Sequence, residues 1–115
     1  MSNLSDLLRK SGITSKELEE LLKARDEGKV DFLLVDVRED FEYKDAHIKG
    51  VDMLKPTSTF NFWAQDFLEE NKNKDVIFTC RTDNRSGQVA NIFREHGLNA
   101  INHLGGIVTY SGELE

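Results

Sequence analysis

The sequence predicts an α/β fold in which a central, mostly parallel sheet is flanked by helices. Residues 32–37 and 76–79 are continuous apolar runs rather than alternating ones, the pattern of strands covered on both faces. Around them, leucines and aromatics recur at helical spacing, so strands and helices alternate along the chain. Ligands in such sheets bind at the C-terminal ends of strands, and Asp36 and Cys80 both fall at such ends.

Taken in order, Leu4, Leu7 and Leu8 suggest a short helical turn. Thr14-Ser15-Lys16-Glu17 reads as a capping box ahead of Leu18, Leu21 and Leu22, and Gly28 is a stop, which predicts a helix over 15–27. The first buried strand follows at 32–37. Residues 38–50 are polar, and a weak strand around 51–54 stops before Pro56, the only proline. Phe60, Trp63, Ala64, Phe67 and Leu68 mark a second amphipathic helix up to the turn-forming Asn71-Lys72-Asn73. After the second buried strand at 76–79 comes a polar loop, then a helix with Val89, Ala90, Ile92 and Phe93 on one face, ended by Gly97. Ala100, Ile101 and Leu104 suggest a last short strand closed by Gly105-Gly106.

With 115 residues, 38% of them hydrophobic, the chain is expected to form one domain over 1–115. Its core would run from about 14 to 110, with 1–13 as an N-terminal extension or short helix. Fifteen Lys+Arg against 21 Asp+Glu give a net charge of −6, which disfavours a broad nucleic-acid face and leaves any anion site local. No apolar stretch approaches membrane-spanning length, so no membrane partner is expected. The opening residues have neither the basic nor the apolar region of a signal peptide, which points to the cytoplasm. A single cysteine excludes an internal disulfide, and His47, His96 and His103 do not share an i, i+4 spacing, so neither a metal centre nor a cofactor is expected.

The loop Cys80-Arg81-Thr82-Asp83-Asn84-Arg85-Ser86 runs from the end of a buried strand into a helix N-terminus. Free amide N–H groups, the helix dipole and two arginines place Cys80 in positive potential, which favours the nucleophilic thiolate. The same cradle can hold an incoming oxyanion or the terminal sulfur of a persulfide.

These residues resemble the single-domain rhodanese family, whose active-site loop has the form C-x-x-G-x-R-S/T. Asp36-Val37-Arg38-Glu39 with Glu42-Tyr43, then His47-Ile48-Lys49-Gly50, resembles the family's opening signature, and Gly105-Gly106 with Tyr110 resembles its closing one. The resemblance runs from about Phe32 to Tyr110 and implies a small rhodanese-like α/β fold and sulfane-sulfur transfer. By it, Cys80 is the sulfur-accepting nucleophile, the amides of Arg81, Thr82, Asp83, Asn84, Arg85 and Ser86 form the cradle, and Arg85 binds the anionic donor. Two positions depart from the family pattern: Asp83 stands where glycine is usual, and Tyr110 where tryptophan is usual. An aspartate tolerates the positive φ expected there, but its charge opposes an arginine.

Asp36, Arg38, Glu42 and His47 read as structural support, charged groups pairing with one another beside strand ends rather than performing chemistry. Phe60, Phe62 and Trp63 read as core, Asp66, Glu69 and Glu70 as a solvated helix face, and His96 as a solvated residue near a helix end. His103 carries no signal. The favoured function is a thiosulfate sulfurtransferase-like enzyme that moves sulfur from thiosulfate or a persulfide donor to a thiol, cyanide or protein acceptor. A persulfide carrier or protein-binding module is the alternative. Phosphatase or arsenate reductase activity is disfavoured, because four residues separate Cys80 from Arg85 where related phosphatases use five.

Overall fold

The computed structural model describes residues 4–115; the first three residues of the expected N-terminal extension lie outside them. The elements are α1 (Leu4–Leu7), β1 (Gly12–Ile13), α2 (Ser15–Asp26), β2 (Leu33–Asp36), α3 (Asp40–Asp45), β3 (Met53–Leu54), α4 (Phe60–Asn71), β4 (Asp75–Thr79), α5 (Asn84–Glu95) and β5 (Asn99–His103). Short 3-10 turns occupy Thr57–Thr59 and Ile107–Thr109. All five strands are parallel, in the order β1-β5-β4-β2-β3.

The two apolar runs are continuous because both faces of their strands are covered. Val35, Val76, Phe78 and Ala100 point into one core with Trp63 and Phe67 of α4 and Val89, Ala90 and Phe93 of α5. Their neighbours Leu34, Ile77 and Ile101 point into the other, with Leu18, Leu21 and Leu22 of α2 and Leu7 and Leu8 of the N-terminal turn. Helix α2 starts at the expected capping box, with the Thr14 hydroxyl accepting from the Glu17 N–H and the Glu17 carboxylate accepting from the Thr14 N–H.

Several features differ from the sequence reading, among them Ile92, which is exposed rather than on the buried face of α5, and Leu104, which is exposed and lies beyond β5. Helix α3 lies inside the segment read only as polar; it has no buried residue, and it starts where the Glu42 carboxylate accepts the Glu39 N–H. Strand β1 is two residues long, too short to leave a periodic pattern. Phe62 is 87% exposed and is not core, whereas Trp63 is buried and Phe60 half-buried.

From β2 the chain moves outward to β3, and β4 then lies on the other side of β2. The strand order therefore reverses between β2 and β4, which opens the sheet at their C-terminal ends. Asp36 and Thr79 are register partners there, and Cys80 is the next residue.

Candidate active site

Cys80 is 1% exposed at the bottom of its loop. Its Sγ accepts the Asp83 N–H at 3.2 Å and the Ser86 N–H at 3.4 Å, and lies 3.3 Å from Ser86 Oγ. Two of the six amides expected in the cradle thus reach the sulfur itself. Those of Asn84 and Arg85 belong to the first turn of α5, where no intrahelical acceptor exists. The arrangement suits negative charge, because its backbone dipoles already point inward and need no reorganisation.

The loop is shaped by what lies behind it. Asp83 has φ +131°, the left-handed side of the map expected at the family's glycine position, and is the one non-glycine residue with positive φ among those described. Its carboxylate accepts the Gly105 N–H at 2.9 Å and so is turned toward the glycine pair. The Cys80 carbonyl accepts from the Ile107 N–H and the Arg81 carbonyl from the Val108 N–H, at 2.9 and 3.1 Å. A Cβ on Gly106 would fall on the Arg81 carbonyl, so only glycine permits this close approach.

Glu42 reaches the loop from α3. It receives both Arg85 guanidinium nitrogens, at 2.7 and 2.9 Å, and these bonds hold its carboxyl down at about 2. The same contact raises Arg85. Arg81 and Thr82 are exposed. Arg81 borders a cleft of about 540 Å³ that also contains Arg38, Glu42 and Ile107 and the exposed Phe41, Val108 and Leu114.

The other support residues are separate from this contact. Asp36 and Arg38 form a buried pair with Nη2 to Oδ2 at 2.8 Å, and the same Nη2 donates to the Ala46 carbonyl. His47 stacks on Tyr43 and lies 3.4 Å from the Glu115 carboxylate. The four residues were expected to pair among themselves; only Asp36 with Arg38 does so. Tyr110 is half-buried near His103, and burial pushes its hydroxyl up to about 12.

Sequence reasoning missed two residues near the site. His103 is fully buried, with Nε2 2.7 Å from Ser15 Oγ and Nδ1 2.8 Å from Thr79 Oγ1. Asn102 lies 2.6 Å from Ser86 Oγ. Neither carries a local signal, because each partner comes from a different element. Among the described residues no group of histidine, cysteine and carboxylate side chains could hold a metal ion, and no helix is long and apolar enough to cross a membrane.

The description "Rhodanese-like domain" matches residues 17–113. The chain belongs to the rhodanese-like family. It is 30% identical over 100 residues to the "Putative sulfurtransferase YtwF" of Bacillus subtilis, covering 82% of this chain and 87% of that one. It is 34% identical over 101 residues to the "tRNA uridine(34) hydroxylase" of Acinetobacter baylyi, covering 85% of this chain. The rhodanese-like chain spans about a third of that hydroxylase, 31% of its length. Among solved structures, a rhodanese-like domain protein of Staphylococcus aureus matches with TM-score 0.73 and 30% identity, covering 92% of this chain and 97% of that one. A rhodanese-related protein of Thermoplasma volcanium shares the fold, with TM-score 0.76 and 23% identity over 92% and 98% of the two chains.

Proposed function

We propose that this rhodanese-like chain is a sulfurtransferase that carries sulfane sulfur on Cys80. The observation that supports this best is the pair of backbone N–H groups, from Asp83 and Ser86, directed at Sγ at a strand-to-helix turn. The putative sulfurtransferase relative, covered over most of its length, supports the same class. In the first half-reaction the Cys80 thiolate attacks the outer sulfur of the donor. A sulfur–sulfur bond forms, and the donor's own sulfur–sulfur bond breaks, its electron pair leaving with sulfite when thiosulfate is the donor or with a thiolate when a persulfide is. In the second, an acceptor thiolate or cyanide attacks the terminal sulfur and the Cys80 thiolate leaves. The amides of the loop would stabilise the anionic sulfur in both steps.

The Glu42–Arg85 ion pair favours a persulfide donor over thiosulfate. A small dianion must share an arginine already neutralised by a carboxylate, whereas a persulfide brings less charge. Exposed Phe41, Val108 and Leu114 around the cleft suit a thiol presented on a larger molecule, in the cytoplasm, which keeps the carrier reading as the second one.

The test is to incubate the purified protein with thiosulfate, and separately with a small persulfide donor, and to weigh the intact chain. Gain of one sulfur atom, its removal by cyanide, and no gain in Cys80→Ser are expected. No gain from either donor, or thiocyanate production by Cys80→Ser, would refute the reading.

A further inference from the structure

Asn102 stands on β5 beside the first turn of α5, and its Oδ1 is 2.6 Å from Ser86 Oγ. Ser86 Oγ makes two longer approaches, 3.3 Å to Cys80 Sγ and 3.3 Å to the Asp83 carbonyl. A serine hydroxyl has one proton, and the shortest of these contacts takes it. Ser86 therefore donates to Asn102 and turns lone pairs toward Cys80. That arrangement suits a thiol, which donates its S–H to Ser86. A charged sulfur requires the reverse, a hydroxyl proton pointing at it.

A carboxamide can serve both states. Turned over, it offers an Nδ2–H to the Ser86 oxygen and releases the hydroxyl proton toward sulfur. Asn102 Nδ2 has no hydrogen-bond partner among the described residues, so the turn breaks no second bond. Asn102 lines a polar cleft of about 550 Å³ with Gly12, Asn84 and Gln88, where the freed carbonyl can meet water. The other charged or titratable groups near Cys80 are Arg81 and Asp83 of the loop, Arg85 of α5, Glu42 of α3 and His103 of β5. None of them hydrogen-bonds the Asn102 side chain.

We propose that Asn102 is a positioning residue for Cys80: it holds Ser86 in the orientation that suits the protonated sulfur and hands the hydroxyl proton to the sulfur once the sulfur is charged. The proposal rests on Cys80 being the nucleophile. Its test does not require that any sulfur donor be accepted, because the single cysteine allows the thiolate to be followed by ultraviolet absorbance as pH is raised.

Asn102→Asp offers only an acceptor and cannot turn over. Its thiolate titration should move alkaline, so that the thiolate fraction at a fixed pH on the rising limb falls about tenfold. In a Ser86→Ala background the same substitution should move the titration less than half as far, since only its charge remains. Should the aspartate variant not fold, Asn102→Lys offers only donors and carries the same test with the sign reversed. An equal shift with and without the Ser86 hydroxyl, or no shift in either folded variant, would overturn the proposal. A failure of the mass experiment with a normal outcome here would refute sulfur transfer and leave Asn102 as the residue that sets the state of Cys80.

Discussion

Arg85 and Glu42, 43 positions apart in sequence, meet in a two-point ion pair at 2.7 and 2.9 Å, and the pair fastens α3 to the first turn of α5. Its geometry is the planar fork-to-carboxylate match that makes such contacts stronger than single-point ones. The consequence for chemistry is that the Arg85 guanidinium, whose charge acts on Cys80, is not free to serve an anion alone.

Removing the carboxylate should expose that cost. Glu42→Gln is expected to lower the KM for thiosulfate roughly threefold to tenfold, the equivalent of about 1 kcal/mol for a partly exposed charge. Raised ionic strength should shrink the gain, and steady-state kinetics at two salt concentrations check it. Stability should fall on the same scale. Because the folded carboxyl sits at about 2 against a usual 4.5, the pair's contribution is present above pH 4.5 and lost as pH falls toward 2. Urea titrations over that window should show a smaller loss in Glu42→Gln than in wild type, the remainder belonging to other depressed carboxyls such as Glu17.

Asp83→Gly separates charge from backbone conformation. A non-glycine residue at φ +131° costs on the order of 1–3 kcal/mol. Glycine relieves that strain but forfeits the bond to Gly105 and adds freedom to the unfolded chain, each worth about 1 kcal/mol. Stability should therefore change by less than about 1 kcal/mol in either direction. Since the carboxylate is turned to Gly105, its removal should lower the KM for thiosulfate by less than Glu42→Gln does. An equal, salt-sensitive gain would show that the Asp83 charge reaches the donor.

Gly106→Ala should cost far more. The new methyl would strike the Arg81 carbonyl from a residue at φ +65°, and the flanking Ile107 and Val108 N–H groups already hold the Cys80 and Arg81 carbonyls. The turn cannot retreat without releasing the loop. A loss of roughly 2–4 kcal/mol is expected, with sulfur uptake impaired in the molecules that remain folded. Gly97→Ala is the control: its φ is +91° but its Cβ would meet nothing, so strain alone acts and about 1 kcal/mol is expected. Thermal melts of the two variants distinguish these outcomes.

How far these features are legible in the sequence depends on whether their cause is local. Strands β2 and β4 announce themselves because burial on both faces leaves unbroken apolar runs, and α2 because its cap is a four-residue motif. The loop from Cys80 to Ser86 is legible for the same reason, since a strand end, a helix start and two arginines lie within a few positions. Helix α3 is not, because none of its residues is buried and its role is to present Glu42 to a residue far along the chain. Nor are His103 and Asn102, whose meaning comes from Ser15, Thr79 and Ser86 on other elements. Phe62 misleads in the opposite sense: it is apolar and adjacent to Trp63, yet one step around the helix places it in solvent.

The His103 network gives a prediction with a window of its own. Thr109 donates to the Gly106 carbonyl, so it accepts from Ser15; Ser15 then accepts from His103 Nε2–H, and Nδ1 accepts from Thr79. The ring is thus neutral and fully paired, tying α2 and β4 to the turn that holds the Cys80 loop. Burial pulls its proton affinity down to about 4 from the usual 6.5. Between these values the unfolded chain binds a proton that the folded chain refuses, so folding stability is complete above pH 6.5 and declines as pH falls toward 4. The full difference corresponds to about 3 kcal/mol at 1.36 kcal/mol per pH unit. Most of this window lies above the one in which Glu42 titrates, so urea unfolding at pH 7, 5.5 and 4.5 isolates it. His103→Gln should be less stable at pH 7, because its amide cannot reproduce both contacts, yet it should lose the slope between pH 6.5 and 4. A slope of wild-type size in that variant would place the acid sensitivity elsewhere in the fold.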